Sequence, residues 1–462
     1  MSFFKSTVVL CVACCSAWGA KAGMLLQDSM RVSITGIDVL AQATSKWTTA
    51  SDVTMDIATV KIDYEKGAGI LLHKAGPDNT PVSLTATVSG DLELDLDFMV
   101  SAESDPVLYF LGKYPITLAG DKPGSVEIST RAENPLFRIS TPTVNVAKAP
   151  GLWQHLKIRY RAGMGNGAGT KGAGKPNFEA IYLNGVLIHQ QLYLDMVEDN
   201  AATNPLLSFL CRDGHVAFRN IYYRHLEAPK TAATPPRRFY RITNPIILNP
   251  GTKPYLLRSY LMFGGEKRTH VISVGNPNHS NFSYDLKQGA LLQVWKGEFV
   301  DVTAMWESRG EPQTATPLGA VVELTAKPSI AVLGTTDESW PDSMAFDDMH
   351  NKGYTVDAAG IPTFQYEFSG MQVSDRISAA TDGNSLTRAL TISNPGEHVN
   401  CLVAVGKNVV SLGKGVYAVN DKSYYVKIDR QSGAFVRKTP DGEELIIPVQ
   451  KNKGQISYSL IW

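Results

Sequence analysis

The sequence predicts an all-β protein. Short β-branched and aromatic segments recur between glycine, proline, asparagine and aspartate turns, while amphipathic helical patterns over three turns are scarce. The clearest single element is a hairpin. Asn184-Gly185 supplies the two positive-φ residues of a type I′ turn, and Ile181 and Leu183 on one arm and Val186 and Ile188 on the other alternate as in half-buried strands.

Taken in order, the chain opens with Lys5, an apolar run from Val8 to Ala17 and Ala20-Lys21-Ala22, the three regions of a secretory signal peptide over 1–22. Cleavage after Ala22 would leave Gly23 first. The run is short for a bilayer span, which needs about 20 apolar residues, and no later segment approaches that length, so no transmembrane segment is expected. Cys14 and Cys15 sit in a poor lipobox, so a periplasmic or secreted product is expected rather than a lipoprotein.

Residues 24–226 have the size of a lectin-like jelly-roll sandwich. Their plainest strand is Asp91-Leu-Glu93-Leu-Asp95-Leu-Asp97-Phe98, where four carboxylates alternate with four apolar residues. Same-face neighbours lie about 6.5–7 Å apart along a strand, inside the range used by glycosidase carboxylate pairs. A solvated acidic face on an antiparallel strand accounts for the pattern without chemistry and is the expectation.

Three strand-like segments follow between Trp153 and Arg224: WQHLKIRYR, FEAIYLNGVLIHQ and VAFRNIYYR. Gly163 to Lys175 nearly spells a phosphate-binding loop, but Pro176 stands where a magnesium-binding Ser or Thr is needed and a strand follows instead of a helix. It reads as a flexible loop. Glu227 to Arg238, with Pro235-Pro236, reads as a linker, and residues 239–462 as a second β-rich, sandwich-like unit.

The charge balance excludes some functions. The chain carries 44 basic and 44 acidic residues; without Lys5 and Lys21 the count is 42 against 44, a net charge near −2 that disfavours nucleic acid. Cys211 and Cys401 alone remain of five cysteines after the leader, and buried thiols are expected over a disulfide. No CxxC or HExxH occurs and the histidines are scattered, His270 and His279 included, so no metal and no cofactor are expected. The absence of CxxCH likewise removes haem.

DLELDLDFM, YFLGKY at Tyr109 to Tyr114, AKAPGLWQHLKI, YLNGVLIH and VAFRNI together resemble the concanavalin-like sandwich of the 3-keto-disaccharide hydrolase (3-keto-glucoside lyase/hydratase) family, over about Trp47 to Leu226. The stretch from Arg268 to Gly310, KGYTVDAAGIPTFQYEF and the closing YSLIW resemble a secreted module of unknown function. The first resemblance implies elimination, hydration or hydrolysis at a sugar oxidised at C3, chemistry that needs one placed base and one oxyanion donor. The family's glutamate and glutamine positions carry Pro115 and Thr117, so the acids left to match are Asp121 and the pair Asp213 and His215. Arg219 and Asn220 are expected to be strand-end hydrogen-bonding residues. In the second unit, Trp295, Trp306 and Arg309 supply two aromatic planes and a guanidinium fork for a sugar ring, and they are equally good core pieces. The expected partner is an oligosaccharide or glycoside. The alternatives are a non-catalytic carbohydrate-binding protein and an envelope assembly component with an exported protein partner.

Overall fold

The computed structural model describes residues 32–33, 47–57, 59, 61–74, 82–84, 90–118, 126–129, 139–140, 142–163, 175–194, 207–211, 213–226, 244–307, 313–345 and 347–462. The signal-peptide reading, the glycine loop over 164–174 and the linker fall outside these residues. The protein is all-β. Its described strands pair antiparallel throughout, and among the described residues no helix is long and apolar enough to cross a membrane.

Two sheets form the first half. An eight-stranded sheet runs in the order Val186–Tyr193, Asn177–Leu183, Gln154–Arg161, Leu92–Val100, Val216–His225, Ile62–His73 and Trp47–Met55, with Val32–Ser33 pairing Val216–His225. A six-stranded sheet is ordered Val82–Leu84, Leu207–Cys211, Pro106–Phe110, Tyr114–Leu118, Val126–Ser129 and Ile139–Ser140. Leu94, Leu96, Phe98, Ile158 and Phe178 of the first share one core with Leu108, Phe110, Ile116 and Phe209 of the second. Strand period 2 explains the sandwich: each of these residues lies on the inward face, and its neighbours point out. The Asn-Gly hairpin forms as expected, with φ of 52° at Asn184 and 83° at Gly185. Asn184 does further work, its backbone N–H donating to the His155 carbonyl and its Oδ1 accepting from the His155 N–H.

Three sheets build the second half, of six, four and eight strands, all from residues 247 onward. The central strand Ala290–Asp301 is buried on both faces, which is why alternation along it fails to mark a core side. A fully buried network lies between the sheets: Arg388 donates through Nε and Nη2 to Asp375, through Nη1 to the Tyr458 hydroxyl and through Nη2 to the Gly289 carbonyl, while Tyr284 donates to Asp375. Cys211 and Cys401 are free and buried, and burial pushes both thiols up to about 12.

The segment 146–153 stitches the halves together. Val146 and Ala147 belong to the first core, which also takes Ala320, whereas Ala149 and Leu152 belong to the core of the second half. At Gly151 the Tyr425 hydroxyl donates to the carbonyl at 2.5 Å, and a Cβ there would lie 2.7 Å from that hydroxyl and 2.8 Å from the Met55 carbonyl. Only glycine fits so close an approach, at a φ of 79° that also favours it. The hairpin tip Asn420-Asp421-Lys422, left-handed at all three residues, completes the seam with Lys422 Nζ to Asp52 at 2.8 Å and Arg219 to Asp421 at 2.7 Å.

Candidate functional site

The four-carboxylate strand is not a solvated acidic face, and that expectation is corrected here. Glu93 and Asp95 are 3% and 6% exposed. Charge pairing across the sheet explains how they can be. Antiparallel register sets His155 opposite Asp97, Lys157 opposite Asp95 and Arg159 opposite Glu93 on one side, and Arg219 opposite Asp97 and Arg224 opposite Glu93 on the other. Side-chain contacts follow the register: Arg224 Nη2 to Glu93 at 2.6 Å, Arg159 Nε to Glu93 at 3.3 Å, Lys157 to Asp95 at 3.4 Å and Arg161 to Asp91 at 2.9 Å. A row of anions thus lies between two rows of cations, and carboxylates that must each counter a guanidinium, ammonium or imidazolium are poorly placed to act as glycosidase acid and base.

At the Asp97 end the row opens toward the junction of the halves. His155 places Nδ1 2.9 Å from Asp97 and Nε2 3.2 Å from Asp95, so both ring nitrogens meet carboxylates and the ring is held as imidazolium. Hydrogen bonds to Asp95 and then Asp97 push its pKa up to about 9. Burial raises the Asp97 carboxyl, but the hydrogen bonds from His155 and Asn220 outweigh it and hold the group below the usual carboxylate range. A β-bulge between Arg219 and Tyr222, with Asn220 at a φ of 51°, lets two successive residues converge: Asn220 Nδ2 lies 2.7 Å and Arg219 Nε 3.4 Å from Asp97. These residues lie at a mid-strand bulge and not at a strand end. The Arg219 guanidinium also stacks 3.9 Å above the Trp153 ring. Lys148, half-buried, reaches the field of Asp97, and burial pushes its pKa down to about 8 against that charge.

The residues picked out from sequence are placed elsewhere. Asp121 and Arg309 fall outside the described residues. Asp213 is exposed, and its backbone carbonyl accepts from the Asp105 N–H at 3.1 Å. His215 is buried, its N–H donating to Ser101 Oγ and its carbonyl accepting from the Ser101 N–H. The turn they share is therefore clasped to the 101–105 loop by backbone bonds. Of the two readings open for Trp295, sugar platform and core residue, it takes the second: it is fully buried, stacks on Phe299 at 6.0 Å, and donates Nε1 to the Glu298 and Phe299 carbonyls. Trp306 is exposed on the short helix Thr303–Trp306. Among the described residues no group of His, Cys, Asp and Glu could hold a metal ion.

No family model matches the chain and no curated protein matches it. Among solved structures it is similar to a glycosyl hydrolase candidate from Parabacteroides distasonis, at 11% identity and a TM-score of 0.26 over 44% of this chain and 96% of that one. It is similar also to the botulinum neurotoxin serotype D binding domain, at 9% identity and a TM-score of 0.27 over 94% and 96%. Scores this low carry no argument about function, which must come from the site itself.

The site makes a pH prediction. His155 has its folded pKa raised above the ordinary 6.5, so its stabilisation is full below pH 6.5 and is lost as pH rises through about 9. Because the side chain is 45% exposed, solvent screening brings the effect down to about 1 kcal/mol. Melting temperatures of the wild type and His155→Gln should differ most at pH 6 and converge by pH 10. Lys296, pushed down to about 8 by burial and influenced by Asp382 instead of the Asp97 cluster, acts with the opposite sign in both proteins and cancels in that difference.

Proposed function

We propose that this is an exported carbohydrate-active protein that binds a glycoside at the Asp97 end of the charge row, and that recognition is its primary role. Its sequence motifs resemble those of sugar-processing sandwiches. The observation that carries the proposal is the convergence of His155, Asn220 and Arg219 on Asp97 at the seam between the two halves. A hydroxyl-rich ligand needs fixed donors and acceptors side by side, and seams between packed units are favoured places for such sites. The Asp213 and His215 turn, bound through its backbone to the 101–105 loop, is better suited to holding the sandwich than to meeting a substrate.

Calorimetry of the full chain against neutral disaccharides, glucosides and their 3-keto counterparts tests this. Asn220→Ala and His155→Ala should each weaken binding at least about tenfold, near 1.4 kcal/mol, while Asp213→Asn and His215→Ala leave affinity unchanged. Binding that disappears only in the Asp213 or His215 variants would move the site to that turn. Failure of every glycan to bind would sink the proposal and favour an envelope partner.

Turnover of a 3-keto glucoside is the second reading, favoured by one observation: a held imidazolium and an amide N–H meet at Asp97, donors of the kind that elimination requires to stabilise an enolate. Product release from the 3-keto ligands in the same experiments distinguishes it from binding alone.

A further inference from the structure

A buried ammonium ordinarily meets a carboxylate, because an ion taken out of water needs a counter-charge. Lys327 and Lys422 follow that rule, with Nζ 3.1 Å from Glu444 and 2.8 Å from Asp52. Lys296 meets an amide instead. It is 4% exposed on the central strand Ala290–Asp301 of the six-stranded sheet, and its Nζ lies 2.6 Å from Asn384 Oδ1. Asn384 directly precedes strand Ser385–Ile392 of the eight-stranded sheet, so the contact joins two sheets across 88 positions of chain.

Both ends of the contact are fixed. Lys296 is paired on either side, opposite Ser280 and opposite Ala320. The turn before Asn384 is closed by its own N–H donating to Asp382 Oδ1 at 2.9 Å, by the Gly383 N–H donating to the Ala380 carbonyl and by the Ala380 N–H donating to the Ser385 carbonyl. Asn278 Nδ2 donates to the Ala380 carbonyl and ties that turn to the neighbouring loop. The two loops touch at Gly383, where a Cβ would lie 2.8 Å from the Asn278 carbonyl.

We propose that Lys296 and Asn384 form an intramolecular isopeptide bond, a covalent cross-link between the two sheets that the folded chain makes without a second protein. The neutral Nζ attacks Asn384 Cγ, and a C–N bond forms as the C=O π pair moves to Oδ1. When that pair returns, the Cγ–Nδ2 bond breaks, and the proton shed by the attacking nitrogen goes to the departing one. One amine and one primary amide give one secondary amide and one ammonia, with nothing oxidised or reduced.

Position favours the first step. Reacting atoms poised for attack stand about 3–3.5 Å apart, and Cγ is one carbonyl bond, about 1.2 Å, from the oxygen that Nζ already touches. Burial supplies the nucleophile: it pushes the Lys296 ammonium down to about 8 against the charge of Asp382, so about a tenth of the group is neutral at pH 7. The cross-link lies in the second half and depends neither on the Asp97 cluster nor on a glycan.

The test incubates the purified full chain at pH 8, denatures it and reads its intact mass, which should fall short of the sequence mass by one ammonia. A cyclised Asn-Gly also sheds ammonia, so the deciding measurement is a tryptic digest. Cleavage after Lys296 should be lost, and one branched peptide should join residues 288–309 to residues 377–388. Lys296→Arg and Asn384→Ala should each abolish the branched peptide in a chain with wild-type circular dichroism. Lys296→Met, with an unbranched apolar side chain suited to a buried position, makes the same test where a guanidinium does not fold there. Recovery of the two segments as separate, unmodified peptides from the wild type would overturn the proposal, as would a branched peptide that persists in Lys296→Arg or Lys296→Met.

Discussion

Asp375→Ala should lower stability by about 3–5 kcal/mol in a urea titration, the cost of leaving one member of a buried ion pair without its partner. The Arg388 and Asp375 side chains are 3% and 0% exposed, so water cannot replace the lost carboxylate. Burial alone would push the Arg388 guanidinium toward the neutral form, and Asp375 is the charge that most opposes it. Two further bonds, to Tyr458 and Gly289, would remain satisfied and could not neutralise the ion. The double variant Asp375→Leu/Arg388→Met separates charge from shape: it should recover most of the loss, because apolar replacement of a whole buried pair is often neutral or better. If Asp375→Ala alone cost under about 1 kcal/mol, the network would not hold the sheets as argued. Arg388→Lys should fall between, since an ammonium cannot reproduce the fork that meets Asp375, Tyr458 and Gly289 at once.

Nothing in the sequence around Asp375 or Arg388 announces that network. Both occur in alternating strands, VSDRIS and LTRALT, where a charged residue on a strand ordinarily marks the wet face. In these strands Asp375 and Arg388 fall instead on the buried face, in step with Val373 and Ile377 and with Leu386 and Leu390, and a pairing that joins residues 284, 375, 388 and 458 is visible only once the sheets are stacked. The same cause hid the role of Trp295, whose strand is buried on both faces. By contrast the Asn184-Gly185 hairpin and the Leu92–Val100 strand are local: turn chemistry and period 2 specify them without reference to distant residues.

The site divides along the same line. The acidic strand was legible, and its cations were legible too, since His155, Lys157, Arg159 and Arg161 recur at every second residue of QHLKIRYR. What was not legible was the pairing register that sets one row against the other. Asn220 needed still more, because its approach to Asp97 depends on a bulge that no period-2 reading contains. Lys148 lies in AKAPGLW, where nothing marks a strand, and its surroundings come from both halves. Motifs such as Asp213 and His215 drew notice through residue type alone, which cannot tell an acid aimed at a ligand from a turn tied down by its backbone.

Glu93 decides whether the acidic strand is framework or chemistry. It accepts from Arg224 at 2.6 and 2.9 Å and faces Arg159 at 3.3 Å, with its own side chain 4% exposed. Glu93→Leu should cost about 2–4 kcal/mol: two guanidiniums lose their counter-charge, but each is partly hydrated, at 34% and 26%, which tempers the penalty of a wholly buried orphan. Glu93→Gln should cost less, because one amide oxygen still accepts from Arg224 while the net charge is lost. Neither change touches the Asp97 cluster directly, so at temperatures where the variants remain folded their affinity for any ligand of that cluster should stay within about twofold of wild type. Melting curves and calorimetry on the same preparations check both halves of the expectation. A Glu93→Gln protein of undiminished stability that no longer turned over a sugar would instead make this carboxylate a reacting group, and the alternating acids of the strand would then have to be read as a catalytic pair held by arginines.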